Sequence, residues 1–342
     1  MVRRSASVVI GVRTLNRGQY SEGGKNLRRS ASVRVCRRPI RQNSGLSVAF
    51  RSACMSRTDA IATPHDVTPQ PSGELDADRA RRFGGVARLY GADALAAFER
   101  ARVAVIGIGG VGSWAAEALA RSAVGELTLI DLDNVAESNT NRQIHALDGN
   151  YGKPKVDAMA ERIALIDPVC RVVKIEDFVE PDNLDALLGG GFDYIVDAID
   201  SVRTKVALIA WCVARAQPLV TVGGAGGQLD PTRIRIDDLA QTIQDPLLSK
   251  VRAQLRKQHG FPRGPKARFK VSAVYSDEPL IYPEAAVCDI DDVAMHIATD
   301  AQAPGPTGLN CAGFGSSVCV TASFGFAAAA HALRALAARA GR

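Results

Sequence analysis

The chain has 342 residues, and 46% of them are hydrophobic, enough for a sizeable core and too many for a wholly disordered protein. Its formal charge of +6 is uneven: residues 1–54 hold eleven Arg and one Lys against a single Glu, so they carry +11 and the remainder −5. The seven Cys are scattered without C-x-x-C spacing, which argues against a zinc ribbon or a disulfide framework and suits a reducing cytoplasm.

The basic segment repeats "RRSASV" at 3–8 and 28–33 and has little apolar periodicity, so it is not expected to fold alone. It fits a disordered arm, a targeting peptide, or a start-site artefact with Met55 the real start; the compositional break favours the last. Residues 55–78 read as a proline-containing linker, followed by a lead-in with a short helix. "RVAVIG" (102–107) is a buried strand, "VGSWAAEALARSA" a helix and "ELTLIDLD" a second strand. "PKVDAMAERIALID" is a helix ending before Pro168, and "RVVKIEDF" a third strand. "FDYIVDAID" (192–200), "VRTKVALIAWCVARA" and "PLVTVGGAGG" continue as strand, helix, strand.

The alternation predicts an α/β fold with a Rossmann-like, mostly parallel sheet and flanking helices over 79–227. From 228 to 342 the pattern changes to an α+β extension on the same sheet, building the substrate side. It has an extended strand, "QLDPTRIRIDDL", a helix, "DPLLSKVRAQLRKQ", short strands around 270–282, an Asp- and Pro-rich loop and a closing helix. Asn310 to His331 lacks Asp, Glu, Lys and Arg, long enough to span a bilayer; its Ala, Gly and Ser content favours a core helix over membrane contact.

"GIGGVG" places Gly107, Gly109, Gly110 and Gly112 between a strand and a helix, where backbone N–H groups meet phosphate. Asp131 ends the next strand and can accept ribose hydroxyls, with Asp133 beside it. NAD and ATP both fit these features. The polar stretch "ESNTNRQIHALDGNYGKPK" favours ATP: a triphosphate needs side-chain donors and a metal, and Asn139, Arg142, Gln143 and Lys155 supply the donors. Asp200 ends another strand on the same crevice and can hold Mg²⁺ through oxygen. Arg142, Lys155 and Asp200 are the candidate catalytic residues.

In order and spacing, "GIGGVG", "DLDNVAESNTNRQ", "GKPK" and "DAIDS" resemble the ubiquitin-activating superfamily, with its bacterial activators of sulfur-carrier proteins. The resemblance implies that a carboxylate attacks ATP to give an acyl-adenylate over an ATP-binding adenylation core. It implies that Asp131 holds ribose, that Asn139, Arg142, Gln143 and Lys155 hold phosphates and that Asp200 binds magnesium. "RFGGVARLYG", "NTNRQIHAL", "DAIDSVRTK", "GGAGGQLDPT" and "DLAQTIQDPL" resemble most closely the tRNA threonylcarbamoyladenosine dehydratases. That implies ATP-driven cyclisation of the modified adenosine beside the anticodon, a homodimer, and a companion sulfur-transfer (cysteine desulfurase) system.

The chain departs from the sulfur-carrier activators in lacking paired C-x-x-C motifs. Gly85 stands where those relatives carry a cross-dimer arginine, with Arg82 or Arg88 as replacements. Position 273 is Ala where an acceptor Cys would be sought; Cys288, Cys311 and Cys319 are alternatives. For tRNA, a run free of acids offers Lys250, Arg252, Arg256, Lys257, Arg263, Lys266, Arg268 and Lys270 as phosphate contacts. The competing readings are an activator of a sulfur-carrier C-terminus, a dehydrogenase, for which no hydride-side acid or base stands out, and a non-catalytic RNA-binding module.

Overall fold

The computed structural model describes residues 72–282 and 314–341. The segment 1–54, most of the expected linker, the Asp- and Pro-rich loop, Cys36, Cys54, Cys288 and Cys311 lie outside the described residues. Helix α1, Ser72–Tyr90, begins within the segment 55–78 expected as a linker. Pro71 is the last proline before it, so from Ser72 nothing interrupts helical hydrogen bonding. Gly91, at φ +95°, turns the chain into α2, Ala92–Arg100, which anchors through the buried Phe98.

The sheet has seven strands: β1 (Arg102–Ile106), β2 (Glu126–Ile130), β3 (Arg171–Ile175), β4 (Tyr194–Asp197), β5 (Leu219–Val222), β6 (Ile234–Asp238) and β7 (Ser272–Ser276). Their order is β3-β2-β1-β4-β5-β7-β6. Every neighbouring pair is parallel except β6 with β7, at the edge. Between the strands run α3 (Gly112–Ala120), α4 (Lys155–Ile166), α5 (Leu184–Leu188), α6 (Val202–Ala214) and α7 (Pro246–Gln258). Order reverses between β1 and β4, the connection after β1 leaving toward β2 and the one after β4 toward β5. Open α/β sheets bind ligands at such a reversal, beyond the carboxyl ends of the strands.

Alternate strand residues face opposite sides, and the core divides accordingly. Val103, Val105, Leu127 and Leu129 pack with α2, α3, α4 and the closing helix α8, Val318–Ala340. Ala104, Ile106 and Ile130 pack with α5, α6 and α7. Helix α8 is apolar and long enough to cross a membrane, yet Phe324, Ala328, Ala332 and Leu336 are buried in the first core layer. Its Gly325 allows close approach to α3, since a Cβ there would lie 2.5 Å from the Val111 carbonyl oxygen.

Strand β4 ends at Asp197, before the end expected at 200. The Asp197 carboxylate accepts the Ile199 N–H at 3.1 Å, which turns the chain out of the sheet and frees Asp200 for the crevice.

Candidate active site

The turn between β1 and α3 requires its glycines for different reasons. Gly107 has φ +86°, and a Cβ there would sit 2.9 Å from the Ala198 carbonyl oxygen. At Gly112 a Cβ would overlap the Gly107 carbonyl oxygen. Gly110 packs on the Arg142 stem, whose Cγ would lie 3.0 Å from a Cβ on that residue. A Cβ at Gly109, by contrast, would meet no protein atom within 4 Å, so the backbone there is open to a ligand. Helix α3 starts at this opening, which adds the positive end of its dipole.

Asp131, just beyond β2, ties this turn to the sheet. Its Oδ2 accepts the Ile108 N–H at 2.6 Å, and Oδ1 accepts the Asp133 N–H at 2.9 Å. Burial raises its pKa above the ordinary carboxylate value, against the pull of Lys155. The Lys155 ammonium lies 2.7 Å from Asp133 Oδ2 and 3.8 Å from Asp131 Oδ1, and its side chain is buried. Its backbone is placed by an antiparallel bridge between Asn134 and Pro154 and by its N–H donating to the Asp133 carbonyl. Lys155 is thus the first residue of α4, and its side chain returns to the end of β2.

The polar segment is a folded loop. Asn139 Oδ1 accepts the Ala136 N–H at 3.1 Å, and its carbonyl accepts the N–H groups of Arg142 and Gln143. Asn139 therefore spends its side-chain oxygen on the loop, which leaves its amide nitrogen as the remaining side-chain donor. Arg142 is half-buried, donates to the Ser138 carbonyl at 2.9 Å and Asn141 Oδ1 at 3.0 Å, and its own carbonyl accepts from Trp114 Nε1. Burial lowers its pKa. Gln143 is buried, and its Oε1 has no protein donor. Asn141 Nδ2 reaches Ser316 ahead of α8, joining the loop to the C-terminal region.

Asp200 is solvent-exposed at the carboxyl side of β4. The surrounding protein nonetheless strips enough water from its carboxyl to raise its pKa; Lys205 and Lys155 oppose the rise and Asp133 adds to it. The charges of Asp133 and Lys155 thus bear on Asp200 across the strand reversal. Beneath it lies an ion pair that sequence reasoning missed. Lys205 Nζ donates to Asp197 Oδ2 at 2.8 Å and Thr221 Oγ1 at 3.0 Å, while Thr221 donates to Asp197 Oδ2 at 2.7 Å. All three side chains are buried. The available signal was a lysine in the buried stripe of α6, between Val202 and Val206, where an ammonium needs a partner. His145 was also missed: it is 1% exposed, neither ring nitrogen has a protein partner, and burial beside Lys155 and Arg162 lowers its pKa to about 4.

The eight cations expected to meet RNA divide into two kinds. Lys250, Lys257, Arg263, Lys266 and Lys270 are exposed. Arg252 is half-buried and bonded to Thr242, Arg256 stacks on Phe269 at 5.2 Å, and Arg268 pairs with Asp237 at 3.2 Å. These three have structural partners that their charges alone did not reveal. Ala273 is buried within β7, facing α7, so that position is core. Among the described residues Cys170, Cys212 and Cys319 are free thiols, and burial pushes the first two up to about 12. Arg82 binds Asp78 and the Ile166 carbonyl, whereas Arg88 is exposed and has no ion pair among the described residues.

The fold, the glycine turn open at Gly109 and the acids beyond β2 and β4 define a Rossmann-like nucleotide-binding protein. The model of the ThiF family matches residues 84–341. The chain is 52% identical to the tRNA threonylcarbamoyladenosine dehydratase of Escherichia coli (strain K12), over 77% of this chain and 96% of that protein. A crystal structure of the E. coli tRNA N6-threonylcarbamoyladenosine dehydratase in complex with ATP superposes with a TM-score of 0.68 at 50% identity, covering 78% of this chain and 98% of that one. Molybdopterin-synthase adenylyltransferase of Salmonella typhimurium is 34% identical over 36% of this chain and 50% of its own length. The chain belongs to the ThiF family and, within it, to the tRNA threonylcarbamoyladenosine dehydratases.

Proposed function

We propose that this chain uses ATP to dehydrate threonylcarbamoyladenosine in tRNA, converting it to the cyclic form beside the anticodon. The observation that carries the reading is the gathering of the open Gly109 backbone, Asp131, the Asn139–Gln143 loop, Lys155 and Asp200 at one strand reversal. The names of its relatives supply the substrate.

In this reading Asp131 accepts ribose hydroxyls with lone pairs left beyond its two backbone bonds. Phosphates lie along Gly107, Gly109, Gly110 and Gly112, met by Asn139, Arg142, Gln143 and Lys155, with Asp133 holding the ammonium in place. A threonyl carboxylate oxygen attacks the α-phosphorus, and the bond to pyrophosphate breaks. A nucleophile within the same modified group then attacks the activated carbonyl carbon. AMP leaves with the former carboxylate oxygen, so the nucleoside has lost the elements of water. Arg142 and Lys155 face charge that grows on the phosphates, which favours the transition state over bound ATP.

Among the described residues no three His, Cys, Asp or Glu side chains gather to hold a metal unaided. Asp200 suits Mg²⁺ held mainly by nucleotide phosphates, since that ion commonly takes one or two carboxylates beside phosphate oxygens and water. When bound, the ion would neutralise phosphate charge. The protein works as a homodimer in the cytoplasm, with exposed Arg88 the better placed of the two arginines to reach a partner; a sulfur-transfer companion rests on the family resemblance alone.

The test is incubation of the full chain with ATP, Mg²⁺ and tRNA carrying the modified adenosine. Expected are AMP, pyrophosphate and a nucleoside lighter by one water in mass spectrometry. Failure to form both AMP and that nucleoside refutes the proposal. Adenylation of a sulfur-carrier C-terminus in place of tRNA would favour the alternative activator.

A further inference from the structure

A second cavity opens beyond β7, beside the N-terminus of α7, with a volume of about 440 Å³. Gln244, Ser249, Arg252, Leu280 and Tyr282 line it. Three observations connect it to RNA. First, its position is close to the nucleotide crevice. The wall residue Asp245 accepts the Gly224 N–H just past β5, and the buried Lys205 acts electrostatically on both Asp245 and Asp200. Strand β7 lies two places from β4, so the cavity stands on the order of 10 Å along the sheet from the strand reversal.

Second, its surface is aromatic and exposed. Tyr282 is 62% exposed, with Phe314 5.2 Å away by ring centroid, and Ile243 and Ile281 are exposed beside it. Bases splayed from single-stranded RNA stack on such rings. Third, the helix that begins at its wall carries cations outward. Arg252 lines the cavity with one donor engaged by Thr242, and Lys250 and Lys257 on the same helix are exposed. Gln244, at φ +55°, adds a strained backbone of the kind found at ligand clamps.

We propose that this cavity receives the modified purine, unstacked from the anticodon loop, against the Tyr282 ring. Arg252 meets the adjoining phosphate, and the carboxylate arm points back along the sheet toward ATP. The inference rests on the RNA-dehydratase reading above and adds to it the place where the base is held.

The experiment uses the full chain and anticodon stem-loops that carry either the modified adenosine or an abasic nucleotide at that position. Wild-type protein should bind the abasic form about tenfold more weakly, the scale of one stacked base. Tyr282→Ala should bind the intact stem-loop about tenfold more weakly and show no further loss with the abasic form. Tyr282→Phe should restore discrimination, because it keeps the ring. ATP affinity without RNA should stay within about twofold in both variants, as the side chain is exposed and lines a cavity with no glycine-turn residue in its wall. Undiminished discrimination by Tyr282→Ala, or none by wild type, overturns the pocket. AMP formation by wild type on modified tRNA is followed in parallel. Its absence overturns the dehydratase reading instead, whereas AMP formation with undiminished Tyr282→Ala discrimination overturns the pocket alone.

Discussion

Replacing Lys205 with Met should destabilise the fold through Asp197. Methionine keeps the length of the stem, so little cavity opens and the loss is mainly electrostatic. Three contacts disappear: those to Asp197 Oδ2 at 2.8 Å, Thr221 Oγ1 at 3.0 Å and the Asp197 carbonyl at 3.4 Å. Removing one partner of a buried pair costs about 3–5 kcal/mol, because the other charge is stranded. Asp197 keeps two hydrogen bonds, from Ile199 N–H and Thr221 O–H, which puts the expected loss near the lower end, about 3 kcal/mol. At about 2–4 °C per kcal/mol for a domain of this size, Tm should fall by roughly 6–12 °C. Lys205→Met combined with Asp197→Asn should regain more than half of the loss, since the stranded charge is gone while its acceptor remains. Urea denaturation of the wild type, both single variants and the double variant gives the coupling directly. A Lys205→Met loss of about 0.5 kcal/mol or less, or a double variant as unstable as the two losses added, would refute the reasoning.

Lys155→Ala should lower single-turnover AMP formation on the order of a hundredfold at saturating ATP and modified tRNA, the scale of one lost preorganised donor; a near-normal rate would make Lys155 a structural partner of Asp133. Charge reversal at the exposed Lys250, Lys257 and Lys266 should weaken tRNA binding and flatten the salt dependence of log K by about 0.7–0.9 per lost phosphate contact, whereas an unchanged slope would make them a solvated face. His145, lowered to about 4 by burial from its ordinary 6.5, takes up a proton on unfolding, so its contribution to stability is full above pH 6.5 and lost as pH falls toward 4. The loss is on the order of 3 kcal/mol, and His145→Gln should flatten this acid limb in urea midpoints taken between pH 7 and pH 4; parallel limbs in wild type and variant would refute the assignment.

The parallel core was legible because its signals are local. "GIGGVG" after a five-residue apolar strand sets both a turn and a ligand edge, and the structure gives Gly107 the positive φ and Gly109 the open side. Strand β6 was legible as an extended strand, and its exposed Arg235 and Asp237 alternate with half-buried Ile234, Ile236 and Asp238, whereas its antiparallel pairing with β7 emerges only in the folded sheet. What was hidden depends on partners distant in sequence. Asp197 reads as one more acid until Lys205 and Thr221, eight and 24 residues away, are brought to it. Arg268 reads as a free cation until β6 delivers Asp237. Asn139 reads as a phosphate donor, and only the folded loop shows its oxygen occupied by Ala136. The start of α1 was hidden for another reason: prolines up to Pro71 made the stretch look uniformly irregular, though none follows Ser72 in the helix.

The contact at Gly325 bears on the order of assembly during synthesis. The glycine turn and α3 emerge from the ribosome roughly 200 residues before α8, yet α8 covers the outer side of α3 and buries the sheet beneath it. Until that helix arrives, Leu119, Val105 and Leu129 lack part of their apolar cover, and the nascent strands are exposed to wrong partners. A nascent chain stalled before residue 318 would therefore display the whole "GIGGVG" sequence and still lack a rigid nucleotide pocket. A larger side chain at position 325 would press on the Val111 carbonyl and delay or prevent the closing step, although the glycine-turn sequence itself is unchanged.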